Sequence, residues 1–488
     1  MPAEGDLPVD PSQPPPGREP APVFDAARFR REAGMVVDWI ADYWQSLSDR
    51  PVQSQVEPGW VRSRLPPAPP AAAEPIDAVL EDLDRVIVPG LMHWQHPRFF
   101  GYFPVGASAA SMLGELLAAG LGVQGMLWST SPACTELETH VLDWLRVLIG
   151  LPDRFASFGQ GGGVIQDSAS SGLLCVAVAA RDRARAVLGD GVRRPLTAYA
   201  STAAHSSVEK GLRIAGIGRE HLCTIPVDDS GRMDADALAA ALDADAAAGA
   251  MPFFVTATVG TTSCGAFDPV PAIAAAARQH GAWLHVDAAW AGAAALCEEY
   301  RESVVAGAES ADSWGFNPHK WLPVNFDCHA LWVADRGPLL ASLSMKPDYL
   351  RNAASDSGAV VDYSDWQVPL GRRFRALKLW LTLRLIGVEP LRQRIRDHVA
   401  WAEEFAGWVR SDPRFELVGR PSLALVCFRL RAGDQATRDL LSRVNASGRA
   451  FLSQAEVSGS LAIRLAVGGA QTRRDDVETA WKQLAELA

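Results

Sequence analysis

The sequence predicts an α/β protein centred on a mostly parallel sheet with helices on both faces. The first observation is a rhythm. Between about residues 109 and 377, β-rich runs alternate with helical patterns, as in PFFVTATVG (252–260), a helix from about Asp268-Pro269 to Gly281, and AWLHVDAA (282–289). Successive strand–helix–strand units place their strands parallel, because the chain returns to the same end of the sheet through a covering helix. The second observation is size. With 488 residues, 48% hydrophobic and 21% charged, including 16 Trp and 17 Phe, the chain has a large core to bury, which excludes a small binding module and global disorder.

Residues 1–23 hold eight prolines among small and acidic residues, too little apolar surface to offset ordering entropy, so a disordered tail is expected. A mostly helical segment over 24–108 follows. Phe29, Val36, Ile40, Tyr43, Trp44 and Leu47 recur at helical spacing until Pro51, and a proline-rich connector (65–75) leads to a second helical stretch ending near Pro89-Gly90. The large α/β domain is expected over 109–377. Residues 378–488 pair helical patterns (391–410, 472–487) with alternating strands, LALVCFRL (423–430) and LAIRLAV (461–467), and read as a smaller α+β domain.

Lys+Arg 46 against Asp+Glu 57 gives a net charge of −11, a field that repels polyphosphate and anionic lipid, so neither nucleic acid nor a membrane surface is an expected partner. There is no secretory leader pattern and no apolar run long enough to span a bilayer, and a cytoplasmic protein is expected. The seven cysteines form no CxxC pair and are expected as buried free thiols. His93 and His96 have ligand spacing, but no second His or Cys pair accompanies them, so no metal is expected.

Gly159 to Gly163 invites a dinucleotide-binding reading, but Val164 or Gln166 stands where the third glycine of G-x-G-x-x-G belongs. A better phosphate cradle is Asp167-Ser168-Ala169-Ser170-Ser171-Gly172, directly before the helical run LLCVAVAARDRAR. A helix start offers free amides, a positive dipole end and hydroxyl donors; alone it is also an ordinary N-cap. Two groups follow. Asp287 ends the apolar strand AWLHVD, where open α/β sheets bind ligands and where a carboxylate can keep a pyridinium nitrogen protonated. Lys320, in FNPHKW, has apolar neighbours that lower an amine's pKa and suit imine formation with an aldehyde. A cradle, then an Asp, then a Lys is the order expected for pyridoxal phosphate.

HPRFFGYFP (96–104), WSTSPACTELE (128–138), GGGVIQDSAS (161–170), AHSSVEK (204–210), HVDAAWAG (285–292), FNPHKWLPVNFDC (316–328) and DWQVPLGRRFR (365–375) resemble, in order, the pyridoxal-phosphate-dependent aromatic-L-amino-acid decarboxylases of the group II decarboxylase family. The resemblance spans about residues 25–488. It implies the aspartate-aminotransferase-like fold (fold type I), with Lys320 as the imine-forming lysine and Asp287 on the ring nitrogen. His205 would stack on one ring face and Ala289 on the other. Ser168, Ala169, Ser170 and Asn317 would hold the phosphate, while Thr262 and His319 line the cofactor site. Tyr349, in the loop SMKPDYLRNAASDSG (344–358), would deliver the proton that completes amine release; in related aldehyde synthases a Phe typically stands there.

The resemblance also implies a homodimer with the active site at the subunit interface and an aromatic amino acid as substrate. Trp94, Tyr102, Phe103 and Pro104 would form the aromatic wall of its pocket, with Leu370 beside them. Val105 stands where animal enzymes carry a Thr and Met126 where they carry a Phe; Gln124 replaces an apolar residue. Gly371 matches the small residue that accompanies indole substrates in plant relatives. These positions favour tryptophan over DOPA, with phenylalanine and tyrosine as weaker substrates. The rivals are an oxidative aromatic aldehyde synthase, a decarboxylase of histidine or glutamate, and a catalytically silent binding or scaffold homologue; Lys320, Asp287, His205 and Tyr349 argue against the last.

Overall fold

A computed structural model describes residues 23–189, 192, 194–345, 360–457 and 459–488. The expected tail up to residue 22 and Tyr349 lie outside the described residues. By their internal contacts the residues form two compact units, one made of the chain up to Leu47 with Val56–Gly90, the other of Ser48–Gln55 with Leu91–Ala488.

In the first unit the predicted amphipathic helix is Ala26–Gln45, started by Asp25, whose carboxylate accepts from the amides of Ala27 and Arg28. A second helix, Ile76–Asp82, widens into a π turn, Leu83–Ile87, and then closes in a 3-10 turn ending at Gly90. The chain passes to the second unit here, earlier than the expected boundary at 108/109. The reason is local: Phe99 packs with Val52 and Phe451, and the Phe100 amide donates to the Phe451 carbonyl.

The second unit is built on a seven-stranded sheet. Its strands are β1 (Gly162–Gln166), β2 (Leu196–Ser201), β3 (Leu222–Ile225), β4 (Met251–Thr258), β5 (Trp283–Asp287), β6 (Ser313–Phe316) and β7 (His329–Val333), in the order β1-β7-β6-β5-β4-β2-β3. Pairings are parallel except for β7, which runs antiparallel to β1 and β6. The exception follows from chain length. Between β6 and β7 lies only a four-residue helix, Pro318–Trp321, too little for a crossover, so the chain turns back.

A second, four-stranded antiparallel sheet contains β8 (Phe415–Leu417), β9 (Leu425–Leu430), β10 (Ser453–Val457) and β11 (Ser460–Ala466), in the order β10-β11-β9-β8. Helices Val388–Ser411, Asp434–Ala446 and Arg474–Leu487 accompany it. One continuous apolar core joins both sheets, from Val286 and Trp314 to Phe428 and Leu465. Helix Arg375–Ile386 straddles the expected boundary at 377/378, and its buried Ala376, Leu379 and Leu383 belong to that same core.

Candidate active site

The carboxyl ends of β1, β2, β4, β5 and β6 open on one side of the sheet, the side where open α/β sheets bind ligands. After β1, Ser168 caps the 20-residue helix Ala169–Leu188, its hydroxyl accepting from the Ser171 amide. Ser168, Ala169 and Ser170 line a cavity of about 190 Å³ at this helix start, where the first amides have no intrahelical partner. Lys320, Asp287, His205, Asn317, Ala289 and Thr262 line the same cavity, as do Phe103, Thr258 and Trp290.

Lys320 is half-buried on the short helix after β6, its ammonium 5.4 Å from the centre of the Phe103 ring. Burial pushes its pKa below the ordinary value, the Arg464 cation pushes the same way, and Asp287 opposes both. A lysine so placed reaches its nucleophilic, neutral form more easily than one in water. One oxygen of Asp287 accepts from the Ala289 amide at 3.0 Å, which fixes the carboxylate against the cavity wall.

His205 follows β2. Its Nδ1 accepts from the Ser207 amide at 3.1 Å and faces the Ser207 hydroxyl at 2.8 Å; an amide can only donate, so the ring proton sits on Nε2. Burial lowers its pKa, and Lys320 adds to the effect. The ring is therefore neutral and apolar-faced.

Asn317 is held from behind. Its Oδ1 faces His329 Nδ1 at 2.6 Å, so the imidazole donates and the Asn317 amide NH2 is left as a donor. Burial keeps His329 neutral. This histidine, on antiparallel β7, was missed by sequence reasoning because its partner is 12 residues away across a strand reversal; its place just beyond FNPHKWLPVNFDC was the only signal.

His319, on the turn Pro318–Trp321, is not among the residues that line this cavity. Its Nδ1 accepts from the Cys328 amide at 2.8 Å and its ring meets Phe326 edge-on. Burial lowers its pKa to about 3.

The aromatic positions divide. Phe103 lines the cavity and is fixed by a column of rings, stacked at 4.5 Å on Trp290, which stacks at 5.1 Å on Trp321. Tyr102, half-exposed with φ of 51°, lines a wider neighbouring cavity of about 670 Å³ that shares His205 and Thr262. Trp94 stands behind it, stacked at 5.7 Å. Pro104 packs against Gly468 and the Val105 carbonyl accepts from Gln95; neither lines the cavities. Gln124, Met126, Leu370 and Gly371 do not join the Lys320 cavity within one chain. Gln124 Oε1 accepts from the Arg372 amide at 2.6 Å, the Met126 carbonyl accepts from Ser364, and Leu370 is exposed.

Two arginines that sequence reasoning did not single out shape the surroundings. Arg464, on β11, is buried with no carboxylate partner among the described residues. Its Nε donates to the Ser263 carbonyl and Nη1 to the Ser453 hydroxyl and the Tyr102 carbonyl. Its Nη2 has no hydrogen-bond partner among the described residues. It lies over the Phe103 ring at 5.1 Å and lines the wider cavity. Arg372 forms a buried ion pair with Glu138 at 2.5 Å. The pair grips β1 from one side, Glu138 accepting from the Ile165 amide and Arg372 donating to the Ile165 carbonyl.

His93 and His96 sit apart from this site, His96 Nδ1 accepting from the Arg98 amide at 2.9 Å. Among the described residues no group of three or more His, Cys, Asp or Glu is arranged to hold a metal ion.

This side of the fold is suited to a phosphorylated aldehyde: the start of a helix, an amine and a carboxylate line one cavity. Residues 58–431 match the family model described as pyridoxal-dependent decarboxylase conserved domain. The chain is 46% identical to phenylacetaldehyde synthase of Arabidopsis thaliana over 474 residues, covering 95% of this chain and 96% of that protein. It is 43% identical to aromatic-L-amino-acid decarboxylase of Mus musculus, covering 95% and 98%. The crystal structure of Oryza sativa TDC with PLP and tryptamine superposes with a TM-score of 0.94 at 41% identity, covering 96% and 99%. The chain belongs to the pyridoxal-dependent decarboxylase family, and it is a carboxy-lyase whose cofactor is pyridoxal phosphate.

The residues present fit that cofactor. The Ala169 and Ser170 amides and the Asn317 NH2 are donors for a phosphate, and Thr258 Oγ1, on the cavity wall, is buried without a partner among the described residues. Asp287 and Lys320 supply the carboxylate and the amine that a pyridine aldehyde needs.

Proposed function

We propose that this protein decarboxylates an aromatic L-amino acid to its arylalkylamine and CO2. The observation that carries the reading is the pairing of Lys320 with the face of Phe103, beside a wider cavity walled by Tyr102 and Arg464. The fixed ring of Phe103 offers an apolar face to an aromatic side chain. The uncommitted Nη2 of Arg464 is a charged donor for the carboxylate of an incoming amino acid and orients it.

Pyridoxal phosphate, when bound, supplies the electron sink for the bond that breaks. The chain does the rest. Lys320 would hold the cofactor through its aldehyde; Ser168, Ala169, Ser170 and Asn317 would anchor its phosphate; Asp287 would keep a proton on the ring nitrogen. His205 and Ala289 would flank the ring, with Thr262 beside it. Burial of this wall excludes water, which favours a carboxylate losing its charge as CO2. Tyr349 delivers the proton to the substrate Cα.

The protein acts as a homodimer in the cytoplasm. Leu113, Leu116, Leu117 and Leu121 on helix Ala109–Leu121 are 48–59% exposed in the single chain, an apolar stripe that a second copy would cover. A partner would also bring Gln124, Met126, Leu370 and Gly371 to the substrate. No helix among the described residues is long and apolar enough to cross a membrane, and the seven cysteines are free thiols, which suits a reducing compartment.

Tryptophan is the favoured substrate. Val105 lines neither cavity in the single chain, so the preference rests on Gly371. Gly371 leaves ring space, although Gln124 borders it: a Cβ at 371 would lie 3.1 Å from Gln124 Nε2. A second reading, an oxidative aldehyde synthase, is favoured by the 46% identity to the Arabidopsis phenylacetaldehyde synthase. Incubating the holoenzyme with tryptophan, DOPA, tyrosine and phenylalanine, while measuring CO2, amine, aldehyde and hydrogen peroxide, tests both. Amine with CO2 and no peroxide supports decarboxylation, aldehyde with peroxide supports the synthase, and a higher kcat/KM for DOPA than for tryptophan overturns the substrate reading.

A further inference from the structure

At the opposite end of the sheet lies a third cavity, of about 320 Å³, lined by Arg154, Arg183 and Arg278. It opens beside Leu284, next to the first residue of β5, and Asp312, immediately before β6. The catalytic groups Asp287 and Asn317 follow at the other ends of these same strands. Strands rise about 3.3 Å per residue, so the two cavities cannot merge.

The guanidinium groups are held but not used up. Arg183 is the fixed one: Nη1 donates to Asp312 Oδ1 at 3.1 Å, Nη2 to the Gly281 carbonyl at 3.3 Å, and its plane lies over Trp283 at 4.7 Å. Arg278 Nη2 donates to the Ser310 hydroxyl at 2.5 Å, and Arg154 Nη1 donates to the Glu309 carbonyl. Each arginine carries five N–H donors, so most remain. Asp312 is the one carboxylate in the lining, and its second oxygen accepts from the Leu284 amide at 2.8 Å. Three cations against one anion leave about two positive charges around a cavity floored by Ala274 and Ala277. In a chain of net charge −11 this concentration stands out.

We propose that this cavity binds a phosphate-bearing dianion, either inorganic phosphate or a small phosphomonoester, at a site separate from the cofactor's. Planar forks on three sides match the oxygens of a tetrahedral phosphate, and a dianion balances the charge that Asp312 leaves over. The cavity has room for a phosphate with a small organic group. Arg183 with Asp312 forms the rigid base, while Arg154 and Arg278, each tied by a single bond, close on the anion.

The test uses holoenzyme freed of excess cofactor, so that the catalytic phosphate cradle is filled. Isothermal calorimetry with inorganic phosphate and with glycerol 3-phosphate, at ionic strength fixed with chloride, should show saturable binding. The double variant Arg154→Gln/Arg278→Gln should bind at least about tenfold more weakly, with its cofactor absorbance and decarboxylation unchanged. Equal affinity for the two probes identifies free phosphate as the ligand; at least about tenfold tighter binding of the ester identifies an organic phosphate. Absence of saturation up to about 10 mM for both probes, or equal affinity in the double variant, overturns the proposal.

Discussion

Acidification from pH 7.5 to 5.5 should destabilise this protein by at least about 3 kcal/mol, and buried neutral histidines are the cause. Burial lowers the pKa of His96 and His285 from 6.5 to about 4, and that of His319 to about 3. The hydrogen bonds agree: in His96 and His319 an amide donates to Nδ1, so a second ring proton would displace that amide. A base whose folded pKa is depressed stabilises the fold fully above its unfolded pKa, and the contribution is lost as pH falls through 6.5 toward the folded value. Each of the three loses about 1.4 kcal/mol between pH 7.5 and 5.5, or about 4 together. Asp268 opposes them. Burial raises its carboxyl pKa from 3.8 to about 6, so the folded state takes up a proton first and gains about 0.8 kcal/mol over the same interval. Burial also depresses His93, His205, His329 and His398, in the destabilising direction. Urea unfolding of apo-protein at pH 7.5, 6.5 and 5.5, at one protein concentration, reads the effect. His285→Asn keeps an acceptor for the Ser313 hydroxyl 2.9 Å from Nδ1 but cannot charge, so it should remove about 1.4 kcal/mol of the pH dependence. A urea midpoint that stays constant or rises on acidification would refute the reasoning.

Borohydride reduction of holoenzyme followed by peptide mapping should label Lys320; a label on Lys346 or another lysine would sink the assignment. Tyr349→Phe should cut amine formation at least about 100-fold while leaving cofactor absorbance intact, with aldehyde and peroxide appearing instead; an unchanged amine yield removes Tyr349 from the chemistry. Glu138→Gln leaves Arg372 buried without its counter-charge at a pair only 5% and 1% exposed, and should cost about 3 kcal/mol. Its equilibrium unfolding, compared with wild type at pH 7.5, checks this; a loss under about 1 kcal/mol would show that the pair adds little.

What the sequence made legible were groups whose chemistry is carried by their own local pattern. Ser168 opens an apolar helix, Asp287 ends an apolar strand, and Lys320 lies between aromatic residues; in the structure these three line one cavity. The periodicity also located β4, β5, β9 and β11 within a few residues, since burial of one or both strand faces writes itself into neighbouring positions. The reversal of β7 was not legible, because pairing direction depends on how far the connection can reach rather than on composition. The partners of His319 were not legible for a related reason: motif membership says that a residue is near the cofactor lysine, not which groups its ring meets, here the Cys328 amide and Phe326.

Arg464 and Arg372 were illegible for a deeper reason, which also explains why they matter. An arginine in a strand or after a glycine reads as a solvent charge, and only tertiary packing makes it otherwise. Arg464 is held by the Tyr102 and Ser263 carbonyls and the Ser453 hydroxyl, so three distant segments must assemble before its cation is desolvated. Once desolvated, it lowers the pKa of Lys320 and keeps one donor uncommitted at the wider cavity. Arg372 likewise joins segments far apart in sequence, binding Glu138 and Gln367 while its backbone amide donates to Gln124. Its grip on Ile165 reaches the strand that leads directly into the Ser168 cradle. Local sequence supplies the reacting and anchoring groups, whereas the long-range arginines set the field and the register in which those groups meet; buried charge at such junctions is costly unless every contact forms. The fold therefore ties formation of the site to completion of both sheets.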